Sequence, residues 1–326
     1  MNFFKKIVER WVKEQLDSLP KQILKNNRPD CWEDDISRNA LDTEGFENRP
    51  APCELDIKTV SNPVRSRNIE PLLGDNKLVD MLERDVFPIP PSSDREGYLP
   101  DHDGAFWATG LEDYLKVMKV AERYNIEARS IFDFGCASGR VTRHFAIQTD
   151  IPEVWCSDIN ARHIRWLTEN MPSTVKPIFN HSIPSLPIRD NSIDIVTAFS
   201  VFTHMDTFET SWLAELQRIM RDDGLAYITV QNEDAWNYLG GLTETEFENS
   251  RVIKTLLSVD ANILEKLEHA MQDTRTIYRY TNVGPYRALT FHSNNYIKNV
   301  WGRFFEVLEI IPRHHVNQTV VVLKKK

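Results

Sequence analysis

Hydrophobic positions along this chain fall into short continuous runs separated by stretches with a helical repeat. Ser130–Phe134 is an apolar run broken by one carboxylate, Asp133, as a strand buried on both faces requires, and Gly135 ends it sharply. A helical pattern follows over residues 140–146, where Val141 and Phe145 lie four positions apart on one face. The rhythm then repeats: a strand over 153–157 ending at Asp158, a helix over Ala161–Asn170, and strands over Val175–Phe179 and 192–199. Beyond the segment 200–205, Asp206 and Glu209 have the spacing of a capping box. The helix they would open carries Phe208, Trp212, Leu213, Leu216, Ile219 and Met220 as its buried stripe. Asp222-Asp223-Gly224 stops it, and 225–230 reads as a fifth strand. Strands alternating with helices in this way predict an α/β fold: a doubly wound, mostly parallel sheet with its site at the C-terminal edge of the strands.

The flanks are less regular. Residues 111–124 read as an amphipathic helix leading into the first strand, and 72–87 as a short helix ended by Pro88-Ile89-Pro90-Pro91. Between them, 97–109 is an aromatic and polar stretch in which Tyr98, His102, Phe106 and Trp107 suit a lid or substrate wall; Asp101-His102-Asp103 are too close in sequence to converge on one metal ion, so no metal site is expected. Residues 2–16 form an amphipathic pattern through Phe4, Val8, Trp11 and Val12. It is too charged for a signal peptide and too short for a membrane span, and suits a partner helix or a homo-oligomer contact. Residues 17–70 are polar and aperiodic. The expected organisation is an N-terminal extension over 1–95 and a catalytic domain over 96–326. A long insertion at about 232–287, with an amphipathic stretch over 252–271, reads as a helical cap beside the site.

Composition narrows the partners. With 326 residues and 41% hydrophobic content the chain can bury a substantial core, and a net charge of −9 without basic clusters argues against nucleic acid. The four cysteines, Cys31, Cys53, Cys136 and Cys156, form neither a CxxC pair nor a disulfide framework, which points to a reducing, cytoplasmic setting.

The chemistry concentrates at Gly135, Ala137 and Gly139. Small residues between a strand and a helix let a ligand approach the backbone, and the helix start offers N–H groups. Their spacing is not the G-x-G-x-x-G of a dinucleotide site, which disfavours a nicotinamide enzyme. Asp133, just before them, would repel phosphate and suits an ammonium group. Asp158, roughly 20 residues past the turn, is placed to accept both hydroxyls of a ribose.

With these residues in view the chain resembles a class I S-adenosylmethionine-dependent methyltransferase, and Phe291-His292-Ser293, a helix over 294–301 and Phe305-Glu306-Val307-Leu308 resemble its bacterial small-molecule or glycan type. The likeness rests on Asp133-Phe134-Gly135-Cys136-Ala137-Ser138-Gly139, on Asp158, and on Ser182-Ile183-Pro184-Ser185-Leu186-Pro187 before Asp190-Asn191-Ser192-Ile193-Asp194. The segments 199–205 and 216–224 extend it. So do 304–311 and 319–323, which are similar to the last two strands of a seven-stranded sheet whose final strand is antiparallel. The resemblance implies S-adenosylmethionine as cofactor and S-adenosylhomocysteine as product. Gly135, Cys136, Ala137 and Gly139 would floor the methionyl part, with Asp133 near its ammonium, and Asp158 would take the ribose diol. Ile159 and Ile183 would sandwich the adenine, His181 or Ser182 would face its edge, and Ser200 and Val201 would lie along the sulfonium. Ala137 stands where the family carries a glycine, and Ser182 where it often carries an acid.

Methyl transfer to a hydroxyl benefits from a base, and His204, just past the fourth strand, is the first candidate, ahead of His102, Tyr286 and His292. The expected activity is O-methylation of a small-molecule or glycan-like acceptor. N-methylation of a small amine or protein side chain, and a non-catalytic cofactor-binding subunit, stand as alternatives.

Overall fold

The computed structural model describes residues 77–96, 102–280, 288–315 and 317–326. The helix expected over 2–16, the polar stretch 17–70, Tyr98 and Tyr286 lie outside the described residues.

Two helices precede the sheet, α1 (Lys77–Arg84) and α2 (Asp103–Arg123). The alternating part follows as β1 (Ser130–Phe134), α3 (Thr142–Ile147), β2 (Glu153–Asp158), α4 (Ala161–Asn170), β3 (Val175–Phe179), β4 (Ile193–Ala198), α5 (Glu209–Ile219) and β5 (Met220–Val230). The insertion comprises α6 (Glu233–Gly240), α7 (Glu244–Asn249), α8 (Arg251–Val259), α9 (Ile263–Leu267) and β6 (Arg275–Arg279), which pairs with β7 (Ala288–His292). The chain closes with α10 (Asn294–Val300), β8 (Phe305–His315) and β9 (Gln318–Lys325).

Seven strands form one sheet in the order β3-β2-β1-β4-β5-β9-β8, with β9 antiparallel to both neighbours. The order reverses direction between β1 and β4, so the loops leaving these two strands diverge and open a crevice at their C-terminal ends. Both faces are covered. Ile131, Ile195, Tyr227 and Val322 pack with Phe106, Trp107, Leu111 and Phe145 of α2 and α3 on one face, while Phe132, Val196, Ile228 and Leu323 pack with Trp212, Leu216, Ile297 and Trp301 on the other.

The polar segment between α1 and α2 is tied into this core. Asp85 and Arg143 are both fully buried and form a two-pronged ion pair, Nε to Oδ2 and Nη2 to Oδ1 at 2.8 Å each, and Trp107 Nε1 adds a hydrogen bond to Oδ2 at 2.7 Å. The Arg143 guanidinium also donates to the carbonyls of Phe87 and Pro88. Leu82 and Ile89 join the same apolar cluster. The stretch 77–95, assigned by sequence to the extension, therefore packs on the sheet's helical layer.

Four local expectations differ from what forms, the first being that Met220 and Asp222-Asp223-Gly224, read as the end and stop of a helix, belong to β5. Helix α2 starts at Asp103 and not at 111, so Phe106 and Trp107 are core residues at 1% and 0% exposure and no part of a lid. Gly110 makes this packing feasible, since a Cβ there would stand 2.0 Å from the Arg140 carbonyl oxygen. Asp206 and Glu209 form no capping box: α5 begins after Phe208 in a left-handed conformation (φ 58°), and no side chain caps it. The amphipathic stretch 252–271 breaks at Asp260, whose Oδ1 accepts from Asn262 N at 3.0 Å and separates α8 from α9. The insertion has its own apolar centre of Trp236, Ile253, Leu256, Ile263, Leu289 and Phe291.

Candidate active site

At the C-terminal ends of β1 to β4 lies a cavity of about 420 Å³. Nine of the sequence-predicted residues line it: Gly135, Ala137, Asp158, Ile159, His181, Ser182, Ser200, Val201 and His204. The remaining wall is Glu96, Phe134, Asn180, Phe199, Met205, Asp206, Thr207 and Trp212.

The turn after β1 is shaped by conformations that side chains resist. Gly135 sits at φ +73°, where a Cβ would meet Val201 Cγ2 at 2.3 Å, and Gly139 at φ +86°, where it would meet Leu167 Cδ2 at 2.5 Å. Ala137 takes the left-handed region as well, at φ 47°, as does Ser200 across the crevice at φ 59°.

The N–H groups of this turn differ from expectation. Gly135 N and Cys136 N both donate to Ser157 O, at 2.8 and 2.9 Å, and Gly139 N donates to Cys136 O at 3.0 Å. Ala137 N donates to Asp158 Oδ2 at 2.8 Å and Asn160 N to Oδ1 at 2.8 Å, so two backbone groups fix the Asp158 carboxylate at the rim. The turn therefore presents a shaped surface and a fixed carboxylate more than a row of donors.

Several predicted residues sit elsewhere. Asp133 is buried beneath the turn, accepting from Thr142 Oγ1 at 2.6 Å and Thr197 Oγ1 at 2.7 Å. Burial raises its pKa to about 6, against the lowering effect of the two hydroxyls. Asp133 and Cys136 line a second, smaller hollow of about 30 Å³ under the turn, beside Arg95 and Arg140. The Cys136 side chain packs with Cys156, Trp166 and Leu167. Gly139 and Ile183 line neither space. His102 is exposed at the start of α2, away from the cavity wall. His292 is fully buried with Nε2 donating to Glu209 Oε2 at 2.8 Å, which makes it a structural residue and removes it as a base.

His204 is the predicted base that does reach the cavity. Its Nδ1 lies 2.9 Å from the carbonyl oxygen of Ala288. A carbonyl can only accept, so Nδ1 carries the proton and Nε2 keeps its lone pair. Burial draws the imidazole pKa below its usual value, outweighing the opposing hydrogen bond to Ala288, so the ring is neutral at physiological pH.

The residues that sequence reasoning missed fall into three groups, one of which, Met205, Asp206, Thr207 and Trp212, lies in the segment after β4 and the start of α5. Phe134, Asn180 and Phe199 stand at or just past strand ends, where the fold itself predicts exposure to the crevice. Glu96 arrives from the segment before α2, with no sequence signal. It joins the site through His163, whose Nε2 is 3.2 Å from Glu96 Oε1 and whose Nδ1 is 3.7 Å from Asp158 Oδ1. Burial disfavours the His163 cation, but these two carboxylates outweigh it and hold the pKa above the usual value. Among the described lining residues there are three carboxylates, Glu96, Asp158 and Asp206, and no lysine or arginine.

Residues 132–228 match the family described as "Methyltransferase domain". That part of the chain is a methyltransferase domain. The site's chemistry fits S-adenosylmethionine as methyl donor: a fixed carboxylate at the end of β2, apolar walls from Ile159 and Val201, and Gly135, where a Cβ would meet Val201. The methyltransferase is similar to the Burkholderia thailandensis 1,6-didemethyltoxoflavin-N1-methyltransferase solved with 1,6-didemethyltoxoflavin and S-adenosylhomocysteine, at 12% identity over 85% of this chain and 94% of that one, TM-score 0.43. It is also similar to methyltransferases from Methanosarcina mazei (16%, 63% and 96%, 0.40) and Aquifex aeolicus (13%, 67% and 93%, 0.38). No curated protein matches the sequence. Among the described residues no helix is long and apolar enough to cross a membrane.

Proposed function

We propose that this methyltransferase methylates a hydroxyl group of a small-molecule or glycan-like acceptor, with His204 as the general base, in the reducing environment of the cytoplasm. The observation that carries the reading is the placement of His204: on the cavity wall, with Nδ1 2.9 Å from Ala288 O and a pKa that burial draws below its usual value. That is what a hydroxyl nucleophile needs and a neutral amine does not.

When bound, S-adenosylmethionine supplies an electrophilic methyl group on a sulfonium. Asp158 would accept from the ribose hydroxyls, Ile159 and Ser182 would border the adenine, and Gly135 and Ala137 would let the methionyl chain lie against the backbone. On the acceptor side Met205, Thr207 and Trp212 exclude water and orient the hydroxyl. In this reading His204 would accept the proton that the acceptor hydroxyl gives up on methylation. The acidic lining supports a neutral or cationic acceptor over an anionic one.

The test is a panel of hydroxyl- and amine-bearing acceptors with S-adenosylhomocysteine release as readout. Turnover confined to hydroxyl acceptors and lost in His204→Ala supports the reading. Turnover of amines that survives His204→Ala would replace it with N-methylation, and binding of the donor without turnover of any acceptor would favour a non-catalytic subunit.

A further inference from the structure

His204 belongs to a segment between β4 and α5 that has no regular structure and is bounded by two left-handed residues, Ser200 (φ 59°) and Phe208 (φ 58°). Such a segment holds one conformation only if its surroundings impose it. The sheet fixes the start of the segment: Ser200 N donates to Thr229 Oγ1 at 2.7 Å and Gln318 Nε2 donates to Ser200 Oγ at 2.9 Å. The β6–β7 ribbon contributes most of the rest. Thr290 N donates to Thr203 O at 2.8 Å, and His204 Nδ1 donates to Ala288 O at 2.9 Å. Met205 O accepts from both Thr290 Oγ1 at 2.9 Å and Arg275 Nη2 at 2.6 Å, and Asp206 Oδ2 accepts from Arg279 Nε at 3.0 Å. Four consecutive residues, 203 to 206, are each held by the ribbon.

The ribbon is itself anchored. The Arg275 Nε is 2.5 Å from Oε2 of Glu209, a carboxylate at 1% side-chain exposure that also accepts from His292 Nε2 at 2.8 Å, Trp301 Nε1 at 2.9 Å and Tyr296 OH at 3.1 Å. Burial works to raise the Glu209 pKa, but His292 and Arg275 outweigh it and keep the carboxylate ionised. Arg275 thus spans from a buried anion to the backbone of the residue next to His204.

We propose that the β6–β7 ribbon is a splint for the catalytic base and that Arg275 is its positioning residue, clamping Met205 O against Glu209 so that Ala288 O fixes the His204 tautomer. The inference rests on the reading of His204 as the base. It assigns the insertion a part in the chemical step, exerted through the segment 203–206.

The experiment is 15N-detected NMR of the imidazole nitrogens in the full chain, with the His204 signals assigned by their loss in His204→Gln. The wild type is expected to show a single Nδ1–H tautomer for His204. Arg275→Gln is expected to convert it to an exchanging mixture and to lower kcat about ten- to a hundredfold, with the Kd for S-adenosylmethionine unchanged. Arg275→Lys, which keeps the cation, restores part of both. Thr290→Val removes one bond to Met205 O with little change in shape, and gives the same readout, smaller, if Arg275→Gln does not fold. A folded Arg275→Gln or Thr290→Val that keeps the wild-type tautomer and kcat overturns the splint. If instead the tautomer loosens but His204→Ala transfers methyl groups normally, the splint stands and the assignment of the base falls.

Discussion

The two halves of the cavity are built in opposite ways. The cofactor half is local: Gly135, Ala137, Asp158, Ile159, His181 and Ser182 each lie within a few residues of the strand that delivers them, and backbone bonds between neighbouring strand ends lock them together. The acceptor half is assembled from a distance. His204, Met205 and Asp206 follow β4 but are held by Arg275, Arg279, Ala288 and Thr290 of a ribbon that packs with the insertion's own apolar centre. A binding surface for one invariant molecule can be written into strand ends. A surface for a particular acceptor, and the base that serves it, is easier to vary when a separate unit carries its support.

The largest expected effect breaks this division at the acceptor half. His204→Ala should slow transfer to a hydroxyl acceptor by about 10²- to 10⁴-fold. The Kd for S-adenosylmethionine, measured calorimetrically, should stay the same, because no local contact of the cofactor half is touched.

In the cofactor half, Asp133 exacts a stability cost that depends on pH. Its pKa rises from 3.8 to about 6 on folding because burial penalises the charge. The native state therefore binds more protons than the unfolded state between these values, and stability falls as pH rises through that window, by about 3 kcal/mol once the group is fully ionised. Asp133→Asn should recover up to about 3 kcal/mol in urea unfolding at pH 8. The gain should shrink toward zero near pH 4, and a gain that does not depend on pH would contradict the assignment.

Asp158→Ala tests the same half more gently, and should weaken donor binding by about 1–3 kcal/mol without altering the His204 tautomer. The smallest effect sharpens the boundary between the halves. Ser293 caps α10, with Oγ accepting from Tyr296 N at 2.9 Å, and Ser293→Ala should cost about 1 kcal/mol of stability. Since α10 carries Tyr296 to Glu209, a small drop in kcat with unchanged donor affinity should accompany it.

This contrast also accounts for what the sequence revealed. Strands β1 and β3 and helix α4 match the ranges read from periodicity, and the predicted residues that line the cavity, such as Gly135, Ala137 and Asp158, were legible because each stands at or just past a strand end. The acceptor half was not, because Ala288 and Arg275 meet His204 and Met205 across 84 and 70 positions with no motif to mark the pairing. His292 looked like a base by residue type, and only its burial against Glu209 reveals a different task. Phe106 and Trp107 looked like a lid because Gly104 and Gly110 weaken the helical pattern around them. Gly110 is in fact what brings α2 close enough to bury both rings.

The pairing of Asp85 with Arg143 has a practical consequence for anyone dissecting the chain. The matched family region begins at residue 132, and the expected domain begins at 96, yet Arg143 inside both takes its counter-charge from residue 85. A fragment trimmed to either boundary would strand a guanidinium in a dry interior at a cost of about 3–5 kcal/mol, and should be recovered as aggregate. Fragments that retain everything from Lys77 onward keep the charges matched and are the ones to express.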